Sequence, residues 1–540
     1  MTSWTTGAEP AVTEPPRAGR RWRPASLRAP ERRWEIAAYL IALLAVSAAL
    51  RTQAISAPLW ADEGIAQGIA SHSLGGVLDA LRQDGSPPLY YVVLHAWMRW
   101  FGDTEASLHA LSLLFALACV PAALWAGWTL FGRGTGLVAA ALAAVNPYLS
   151  SYAQETRMYT LLSLLGIVAI TAFVKAFVHR DRRAVAAFGA TLALMAYTHN
   201  WALFFAAAAA VAVLLLARRA PDRRALLRDA ALAFGGAAVL YVPWVPTLAS
   251  QLAHTGAPWA SAPTVAAPLE LARGVFGGVG PAIALIAAAG TGIFALARES
   301  DGLAARSALV IAGLAAGTLG LAWVASQVSP AWSSRYFGTV LGALLLVAAA
   351  GVARGRALGL GLLALVVALW IPLPSPSTLT NKSNADVIAA TIGPRLRPGD
   401  HVLSLQPEQV PLLRYYLPPG LRYADPRGPV SDPRVMDWRD ALDDLRRADP
   451  HRTLAALLER VPPSGHVLFV APVTEERRDW RAPWTRLVRR RSAQWGGLLE
   501  DTAGMRQIAT APLFYRQALA IGLRAVLYRK AAATRAAGQR

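Results

Sequence analysis

Long apolar stretches recur along the first 373 residues and restrict this chain to a bundle of helices in a membrane. Hydrophobic residues make up 55% of the sequence, above the share typical of soluble domains. Crossing a bilayer core takes ~20 apolar residues, and lipid forces them into helices because it offers the backbone no hydrogen-bond partners. Candidate spans fall at residues 34–52, 106–131, 135–150, 158–178, 184–198, 201–217, 229–247, 279–297, 304–326, 335–353 and 356–373.

One further apolar segment, Pro88–Phe101, is short and contains two polar residues, His95 and Arg99. The short cytoplasmic loops of membrane proteins collect lysine and arginine. If this segment lies on the surface, the arginine clusters fall on the cytoplasmic side; if it crosses, every assignment inverts. We therefore predict a helix along the outer surface, eleven spans, a cytoplasmic N-terminus and an extracytoplasmic C-terminus. Beyond the first outer loop, the outer loops of the membrane part then contain Arg157, Arg273 and Arg335 as their arginines.

This topology divides the chain into three parts. Residues 1–33 are rich in Pro, Arg and Ala, which predicts a disordered cytoplasmic tail. Residues 34–373 form the membrane part, with a first outer loop at 53–105 that carries surface helices. A second outer loop, at 248–278, is expected to be mobile because it is rich in proline and glycine. Residues 374–540 follow the last span and are predicted to be extracytoplasmic.

The sequence after Pro372 changes from Ala/Leu runs to a mixed polar composition. Short β-like runs at His401–Leu405 and His466–Ala471 alternate with helical stretches at Glu408–Leu417 and Arg452–Arg460. This alternation predicts a small α/β domain.

The charge of the chain is typical of membrane topology signals. Lysine and arginine total 53 against 33 aspartate and glutamate, a net charge of +20. A soluble domain this basic would suggest nucleic acid, but these arginines form short clusters between apolar stretches, and no nucleic-acid-binding motif is present. The single cysteine, Cys119, lies in an apolar stretch and excludes a disulfide or a thiolate metal cluster within the chain.

Two adjacent carboxylates, Asp62 and Glu63, follow the first predicted span directly after Trp60. An arbitrary Asp-Glu pair is best explained as a solvated helix N-terminus, where acids suit the helix dipole. This pair lies at the membrane interface in a loop otherwise poor in acids, and charges in such places are commonly functional. Asp62 is therefore a candidate general base for an attacking hydroxyl.

The same outer loop contains a second motif, residues 84–91, which reads Asp-Gly-Ser-Pro-Pro-Leu-Tyr-Tyr. The double proline fixes a turn and starts the surface helix. Interfacial anchoring explains Tyr90 and Tyr91 at least in part.

A third motif, Tyr152–Tyr159, follows the third predicted span and carries Glu155 and Arg157. A planar guanidinium is well suited to a phosphate. Pairing with Glu155, or snorkelling towards lipid headgroups, would also account for Arg157, but neither explains why arginine is rare on this face.

Two more motifs fall on the same predicted face. His199 occupies a tight turn, where a lone histidine is more often a hydrogen-bonded structural residue than a ligand. Arg335 and Tyr336 begin the tenth span. The convergence of five separated motifs on one face predicts a functional site there.

Together these motifs resemble the bacterial members of glycosyltransferase family 39, which adopt the GT-C fold. Relatives of that family include the protein O-mannosyltransferases and the aminoarabinose transferase that acts on lipid A. The resemblance covers residues 34–373 and is weaker in the tail domain. It rests on Trp60-Ala-Asp-Glu-Gly, Ser86-Pro-Pro-Leu-Tyr-Tyr, Tyr152-Ala-Gln-Glu-Thr-Arg-Met-Tyr, Tyr197-Thr-His and Ser334-Arg-Tyr.

The resemblance implies an inverting transfer of a sugar, mannose or another, from a polyprenyl-phosphate donor to an acceptor hydroxyl. Asp62 would deprotonate the acceptor, and Glu63 would support Asp62 or bind the acceptor. Arg157 and Arg335, with Tyr336, would hold the donor phosphate, whose developing charge is where such a site gains most. The residues expected to line the cavity or to contact the acceptor are Glu155, His199, Asp84, Tyr90 and Trp60.

The chain departs from the family pattern at Ser86. Relatives often carry a basic residue there, just before the double proline, where it can reach the phosphate. The resemblance therefore leaves that role to Arg157, Arg335 or Arg82, or implies a different donor position. Some relatives use a divalent cation; the sequence shows acids but no ligand spacing that demands a metal.

The expected partners are a polyprenyl-phosphate sugar, membrane lipids and a lipid, glycan or protein acceptor, at a bacterial plasma membrane. The main alternative is a polytopic transporter or a flippase for lipid-linked sugars, which would also place charges near a cavity. Transporters usually carry polar groups at the midplane and show inverted repeats. Here the polar motifs cluster at the interface and no repeat is visible. A non-catalytic scaffold gives no reason for five polar motifs to meet on one face. Another GT-C enzyme, such as an arabinosyl transferase, stays open.

Overall fold

The computed structural model describes residues 31–298, 302–474, 481–513 and 522–532. Residues 1–30, most of the predicted tail, lie outside the described residues. The chain is mostly helical up to residue 370. Its helices there are α1 (Glu31–Arg51), α2 (Ala61–Ala70), α3 (Leu74–Asp84), α4 (Leu89–Phe101), α5 (Glu105–Phe131), α6 (Arg133–Val145), α7 (Pro147–Tyr152), α8 (Tyr159–Phe173), α9 (Arg183–Thr198), α10 (Ala202–Arg218), α11 (Arg223–Tyr241), α12 (Val245–His254), α13 (Ala267–Val275), α14 (Val279–Ala297), α15 (Leu303–Val328), α16 (Gly338–Arg354) and α17 (Arg356–Trp370).

Within the described residues, eight helices are long and apolar enough to cross a membrane. Three shorter apolar helices, α6, α9 and α17, lie where the sequence predicts further spans. The prediction of a polytopic helical membrane protein is confirmed, and the exact number of eleven spans stays a prediction. The eight are Arg33–Arg51, Glu105–Phe131, Tyr159–Val178, Ala202–Arg219, Arg223–His254, Val279–Ala297, Leu303–Val328 and Ser334–Arg354.

Small residues hold the central helices α8 and α16 close together. A Cβ added at Gly342 would lie 2.7 Å from the Cγ1 of Ile167, and one at Gly166 would lie 2.9 Å from the Thr339 carbonyl. Membrane helices pack closely where such small residues face each other. Because α8 and α16 touch in this way, Tyr159 at the start of α8 lies next to the residues that begin α16.

The first outer loop folds into three surface helices, α2, α3 and α4, as the sequence predicts. The α4 helix has only 13 residues, too few for an ordinary span. Its Tyr91 and Leu94 are buried against the bundle, whereas Trp100 is 84% exposed. Gly85 ends α3 with a φ of +96°, a left-handed conformation that glycine adopts without strain.

The second outer loop, 248–278, also contains regular structure, since most of α12 and all of α13 lie in it. It hydrogen-bonds to the C-terminal domain at two points. The backbone N–H of Asp440 donates to the His254 carbonyl at 2.8 Å, and that of Trp484 donates to the Pro258 carbonyl at 3.1 Å. The mobility expected for this loop stays a prediction.

The C-terminal domain is an α/β domain, as predicted. Its six-stranded mixed sheet has the order β3-β2-β1-β4-β6-β5, with β1 parallel to β2 and β4 and the other pairs antiparallel. Its elements are α18 (Pro376–Thr380), α19 (Ala385–Ile392), β1 (His401–Ser404), α20 (Val410–Tyr416), β2 (Arg422–Asp425), β3 (Gly428–Pro429), α21 (Ala441–Arg447), α22 (Pro450–Arg460), β4 (His466–Pro472), α23 (Pro483–Glu500), β5 (Met505–Thr510) and β6 (Leu523–Lys530).

Both faces of this sheet are covered by helices. Successive residues of a strand point to opposite faces, so neighbouring residues of β4 show which helices cover each face. On β4, Leu468 packs in one apolar cluster with α19 and α20. Phe469 packs in a second cluster with α22 and α23. The domain therefore has three layers.

The C-terminal domain docks directly on α2, the helix that carries the acidic pair. A Cβ at Gly64 would lie 2.7 Å from the Cα of Leu412 in α20, and a Cβ at Gly68 would overlap the Arg434 carbonyl. The two glycines are four residues apart and share one face of the helix. Their lack of side chains therefore allows the domain to approach the acidic pair.

Candidate active site

Asp62 occupies the first turn of α2, where the helix dipole favours a negative charge. Its carboxylate forms an ion pair with Arg335, and both side chains are 25% exposed. Trp60 precedes the helix in an extended conformation, and its backbone N–H donates to the Glu63 carboxylate at 3.2 Å. The structure therefore holds a partly accessible carboxylate and a guanidinium together.

Arg157 approaches the same helix from the loop between α7 and α8. Its Nη1 donates to the Asp62 carbonyl at 3.3 Å and to the Tyr91 hydroxyl at 3.2 Å. Its buried Nε has no hydrogen-bond partner among the described residues. Arg157 therefore lies at the acidic pair and keeps donor capacity for a ligand.

Arg335 lies close to two indole rings. Its guanidinium carbon is 5.3 Å from the centre of the Trp60 ring and 6.0 Å from that of Trp259, a cation–π arrangement. Its Nε donates to Ser333 at 3.2 Å, and its carbonyl accepts from the Tyr148 hydroxyl at 2.5 Å. These contacts fix the backbone and the side chain at the start of α16.

An aromatic wall stands beside the two arginines. The Tyr336 ring lies 4.4 Å from the His199 ring, 5.4 Å from Trp201 and 6.3 Å from Tyr159. His199 accepts from the backbone N–H of Trp201 at 3.1 Å. Burial, reinforced by Arg157 and Arg335, lowers the pKa of His199 to about 3, so this histidine is a neutral structural part of the wall.

Glu63 is fully buried behind Asp62. Its Oε1 accepts from His109 and from the Thr156 backbone N–H, each at 2.7 Å, and its Oε2 accepts from Lys382 at 2.7 Å. Burial alone would raise the pKa of Glu63, but the charges and hydrogen bonds of Lys382 and His109 hold it well below its ordinary value. The carboxylate is saturated within the chain, so it positions the start of α2.

Lys382 and His109 also belong to the site, although neither is predicted from the sequence. Lys382 is 4% exposed, and besides Glu63 it donates to the Gln154 carbonyl at 2.9 Å. His109 joins Glu63 to the Ile55 carbonyl, which its Nδ1 contacts at 2.7 Å. Lys382 is one of three lysines in a chain with 53 basic residues, and this rarity was the one signal available.

Glu155 lies close to this network but is less well satisfied. It is buried, and its Oε1 has no hydrogen-bond partner among the residues the structure describes. Burial, followed by the charge of Glu63, raises the pKa of Glu155 to about 7. A carboxyl with this pKa is partly protonated near neutral pH and can then donate a hydrogen bond.

The 84–91 motif contributes Asp84 and Tyr91 to this region. Asp84 ends α3 half-buried, and desolvation raises its pKa despite the attraction of Arg157. Tyr90, which the sequence analysis assigned to the cavity, is fully buried and pairs with Ser112 at 3.0 Å. The neighbouring Tyr91 makes the contact with Arg157 instead, because adjacent residues on a helix do not share a face.

Arg82, considered as a substitute for the basic residue missing at Ser86, does not reach the site. Its side chain is more than half exposed and pairs with Asp79 at 2.5 Å. Of the three arginines that the resemblance offers for the phosphate, Arg157 and Arg335 are the two that lie beside Asp62.

The requirement for a divalent cation stays untested. Within the described parts of the chain, no three His, Cys, Asp or Glu side chains come close enough together to hold a metal ion.

No protein-family model and no curated protein matches this chain. Comparison of folds is informative. ArnT from Cupriavidus metallidurans, in its apo state, matches with a TM-score of 0.62 at 14% identity, over 92% of this chain and 98% of that chain. This chain has the GT-C fold. It is accordingly a multi-span membrane protein.

Other GT-C structures are also similar. ArnT bound to undecaprenyl phosphate matches with a TM-score of 0.59 at 14% identity, over 92% of this chain and 98% of that chain. The mycobacterial arabinofuranosyltransferase AftD matches with a TM-score of 0.51 at 15% identity, over 93% of this chain and 40% of AftD. The Archaeoglobus fulgidus oligosaccharyltransferase AglB, in complex with an inhibitory peptide and a dolichol-phosphate, matches with a TM-score of 0.51 at 10% identity. That match covers 82% of this chain and 70% of AglB. Identities this low establish the GT-C fold and nothing finer.

Proposed function

We propose that this GT-C protein is an inverting glycosyltransferase that transfers a sugar from a polyprenyl-phosphate donor to an acceptor hydroxyl. The observation that carries the proposal is the placement of Asp62. Its partly exposed carboxylate pairs with Arg335, and Arg157 binds the carbonyl of the same residue. A carboxylate that can accept a proton and two guanidinium groups suited to a phosphate therefore lie within one site.

The donor side would be formed by Arg157 and Arg335. A guanidinium offers five donors in a planar fork that matches phosphate oxygens, and the contacts made within the chain leave several of them free for a ligand. The match to an ArnT structure whose ligand is undecaprenyl phosphate supports a polyprenyl phosphate as the leaving group. Tyr336 packs beside Arg335 and would narrow the space for the sugar.

The chemistry follows from these positions. Asp62 takes the proton of the acceptor hydroxyl as its oxygen attacks the anomeric carbon of the donor sugar. The bond between that carbon and the phosphate oxygen breaks, and the electron pair leaves with the polyprenyl phosphate. Arg157 and Arg335 stabilise the charge that develops on the phosphate. Attack from the side opposite the leaving group inverts the anomeric configuration.

Glu63 would act indirectly. Because its two oxygens are occupied by His109, Thr156 and Lys382, it would hold Asp62 in place and not bind the acceptor. The acceptor and the identity of the sugar are set by parts of the cavity other than this clamp. The proposed location is the outer face of a bacterial plasma membrane.

The test is turnover of radiolabelled polyprenyl-phosphate sugars by purified protein in lipid nanodiscs, which have no interior compartment. We expect wild type to release polyprenyl phosphate, and Arg157→Gln to lower kcat/KM at least 100-fold, as loss of a donor to a developing charge does. Arg99→Gln, which changes an arginine on α4 away from the site, is the matched control. Flipping without any release of lipid phosphate, seen when the same protein is placed in closed vesicles, would favour the transporter instead.

A further inference from the structure

A second acidic side chain approaches the site from the C-terminal domain. Glu408 lies in the turn Pro407–Gln409, which contacts α2 just before α20. Its Oε1 accepts from the Gln406 amide at 2.9 Å and from the Trp484 indole at 3.0 Å. Two donors therefore fix a half-buried carboxylate that has no cationic partner among the described residues.

Glu408 is connected to the arginine clamp through the second outer loop. The backbone N–H of Trp484 donates to the Pro258 carbonyl at 3.1 Å. The next residue, Trp259, lies with its ring against the Arg335 guanidinium. Burial raises the pKa of Glu408, and the charge of Asp62 adds to that rise. The turn that carries Glu408 contacts α2, the helix of Asp62.

The groups around Glu408 have unused hydrogen-bonding capacity. The Gln406 amide nitrogen must face the Glu408 carboxylate, which can only accept, and this fixes the orientation of the amide. The Oε1 of Gln406 is buried and has no hydrogen-bond partner within the described residues. The buried indole nitrogen of Trp60, two residues before Asp62, also lacks a hydrogen-bond partner among the described residues. Buried polar groups are costly when left unpaired, so this arrangement calls for a ligand that both donates and accepts.

We propose that Glu408 and Gln406 bind the acceptor, and that the acceptor is a glycan. This inference rests on the proposed glycosyltransferase function and names the acceptor of that same site. A sugar ring carries several hydroxyls at fixed spacing, so one hydroxyl reaches Asp62 while its neighbours bind the Gln406 and Glu408 oxygens. A lipid alcohol or a serine side chain brings a single hydroxyl and leaves the other groups unpaired. Such unpaired groups discriminate strongly against a ligand that lacks the hydroxyl.

The experiment measures acceptor use and acceptor binding separately. The acceptor probes are octyl glucoside, octyl mannoside and octyl galactoside below their micelle-forming concentrations, with 1-octanol and an octyl-capped serine peptide as competitors. The variants are Glu408→Ala and the isosteric Glu408→Gln. Glu459→Ala, which removes an exposed carboxylate from α22 of the same domain, is the matched control.

We expect Glu408→Ala to raise the KM for at least one octyl glycoside about tenfold or more, as loss of a hydrogen bond to a charged group does. Affinity for undecaprenyl phosphate, measured without acceptor, should stay within about twofold of wild type, because the donor clamp is unchanged. Glu408→Gln should fall between wild type and Glu408→Ala, and Glu459→Ala should match wild type.

Two results would overturn the glycan inference alone: equal KM for glycosides in wild type and Glu408→Ala, or 1-octanol or the peptide serving as well as the best glycoside. Equilibrium binding of the radiolabelled glycosides needs no turnover. Binding that depends on Glu408, together with no release of sugar from any donor, would support the glycan site and contradict the proposed transfer.

Discussion

At the scale of single residues, the site depends on how five charged side chains divide their tasks. Asp62 and Arg335 are partly exposed and available to ligands, whereas Glu63 and Lys382 are buried and occupied by each other. Arg157 contacts the first of these pairs through the Asp62 carbonyl. Adjacent carboxylates in the sequence therefore have different surroundings: one is partly exposed and the other is buried and anchors the helix.

The buried pair of Glu63 and Lys382 gives a prediction on stability. Lys382→Met should lower the free energy of unfolding by roughly 3–5 kcal/mol, because it leaves a buried carboxylate without its cation. The double variant Lys382→Met/Glu63→Gln should lose less than the single variant, since the uncompensated charge is removed as well. Thermal unfolding of the purified protein at fixed pH measures both.

Lys175→Met is the control for that comparison. Its ion pair with Asp181 is 3.3 Å long and about one-third exposed on each side, so it should contribute only ~0–1 kcal/mol. Equal destabilisation by Lys175→Met and Lys382→Met would show that the buried pair has no special role.

Residue-level prediction from the sequence worked where a residue was chemically unusual for its place. Asp62, Arg157 and Arg335 stood out because charges are rare at the interface, and the structure brings all three together. Lys382 and Glu408 could not be found in this way. Lys382 is separated from Glu63 by 319 residues, and nothing in the local sequence of either residue indicates that contact.

At the scale of elements, α2 is the part on which the site is assembled. Its first turn carries the acidic pair, and its glycine face receives the C-terminal domain at Leu412. The sequence predicted the neighbouring α4 as a surface helix because a span there would place the arginine clusters on the outer side of the membrane. The docking face of α2 was not predicted, because Gly64 and Gly68 have no recognisable partner until the sheet domain is folded.

The close approach at Gly64 gives a prediction for this helix. Gly64→Val should destabilise the protein by roughly 1–3 kcal/mol, as overpacking of a tight contact does, and should lower turnover because α2 shifts relative to Arg335. Gly75→Val on α3 is the matched control, since no atom lies within 4 Å of its added Cβ. Thermal unfolding and donor turnover measure the effects; equal behaviour of the two variants would contradict a tight interface at α2.

At the scale of the whole molecule, the site lies where a helical membrane bundle meets a three-layered α/β domain. The bundle supplies Arg157 and Arg335, the first outer loop supplies Asp62, and the C-terminal domain closes over α2. The bundle was predictable because each span is recognisable from its own run of apolar residues. The sheet order was not, since strands β4 and β6 pair across an intervening helix and strand.

The most direct test of the central claim compares wild type with Asp62→Asn and Asp79→Asn in lipid nanodiscs. Asp79 is an exposed acid on α3 and serves as the matched control. With radiolabelled polyprenyl-phosphate sugars and the best acceptor found, Asp62→Asn should lose at least 100-fold in kcat, as removal of a general base does. It should still bind undecaprenyl phosphate and unfold at a temperature close to that of wild type. Equal turnover by wild type and a folded Asp62→Asn would contradict the account.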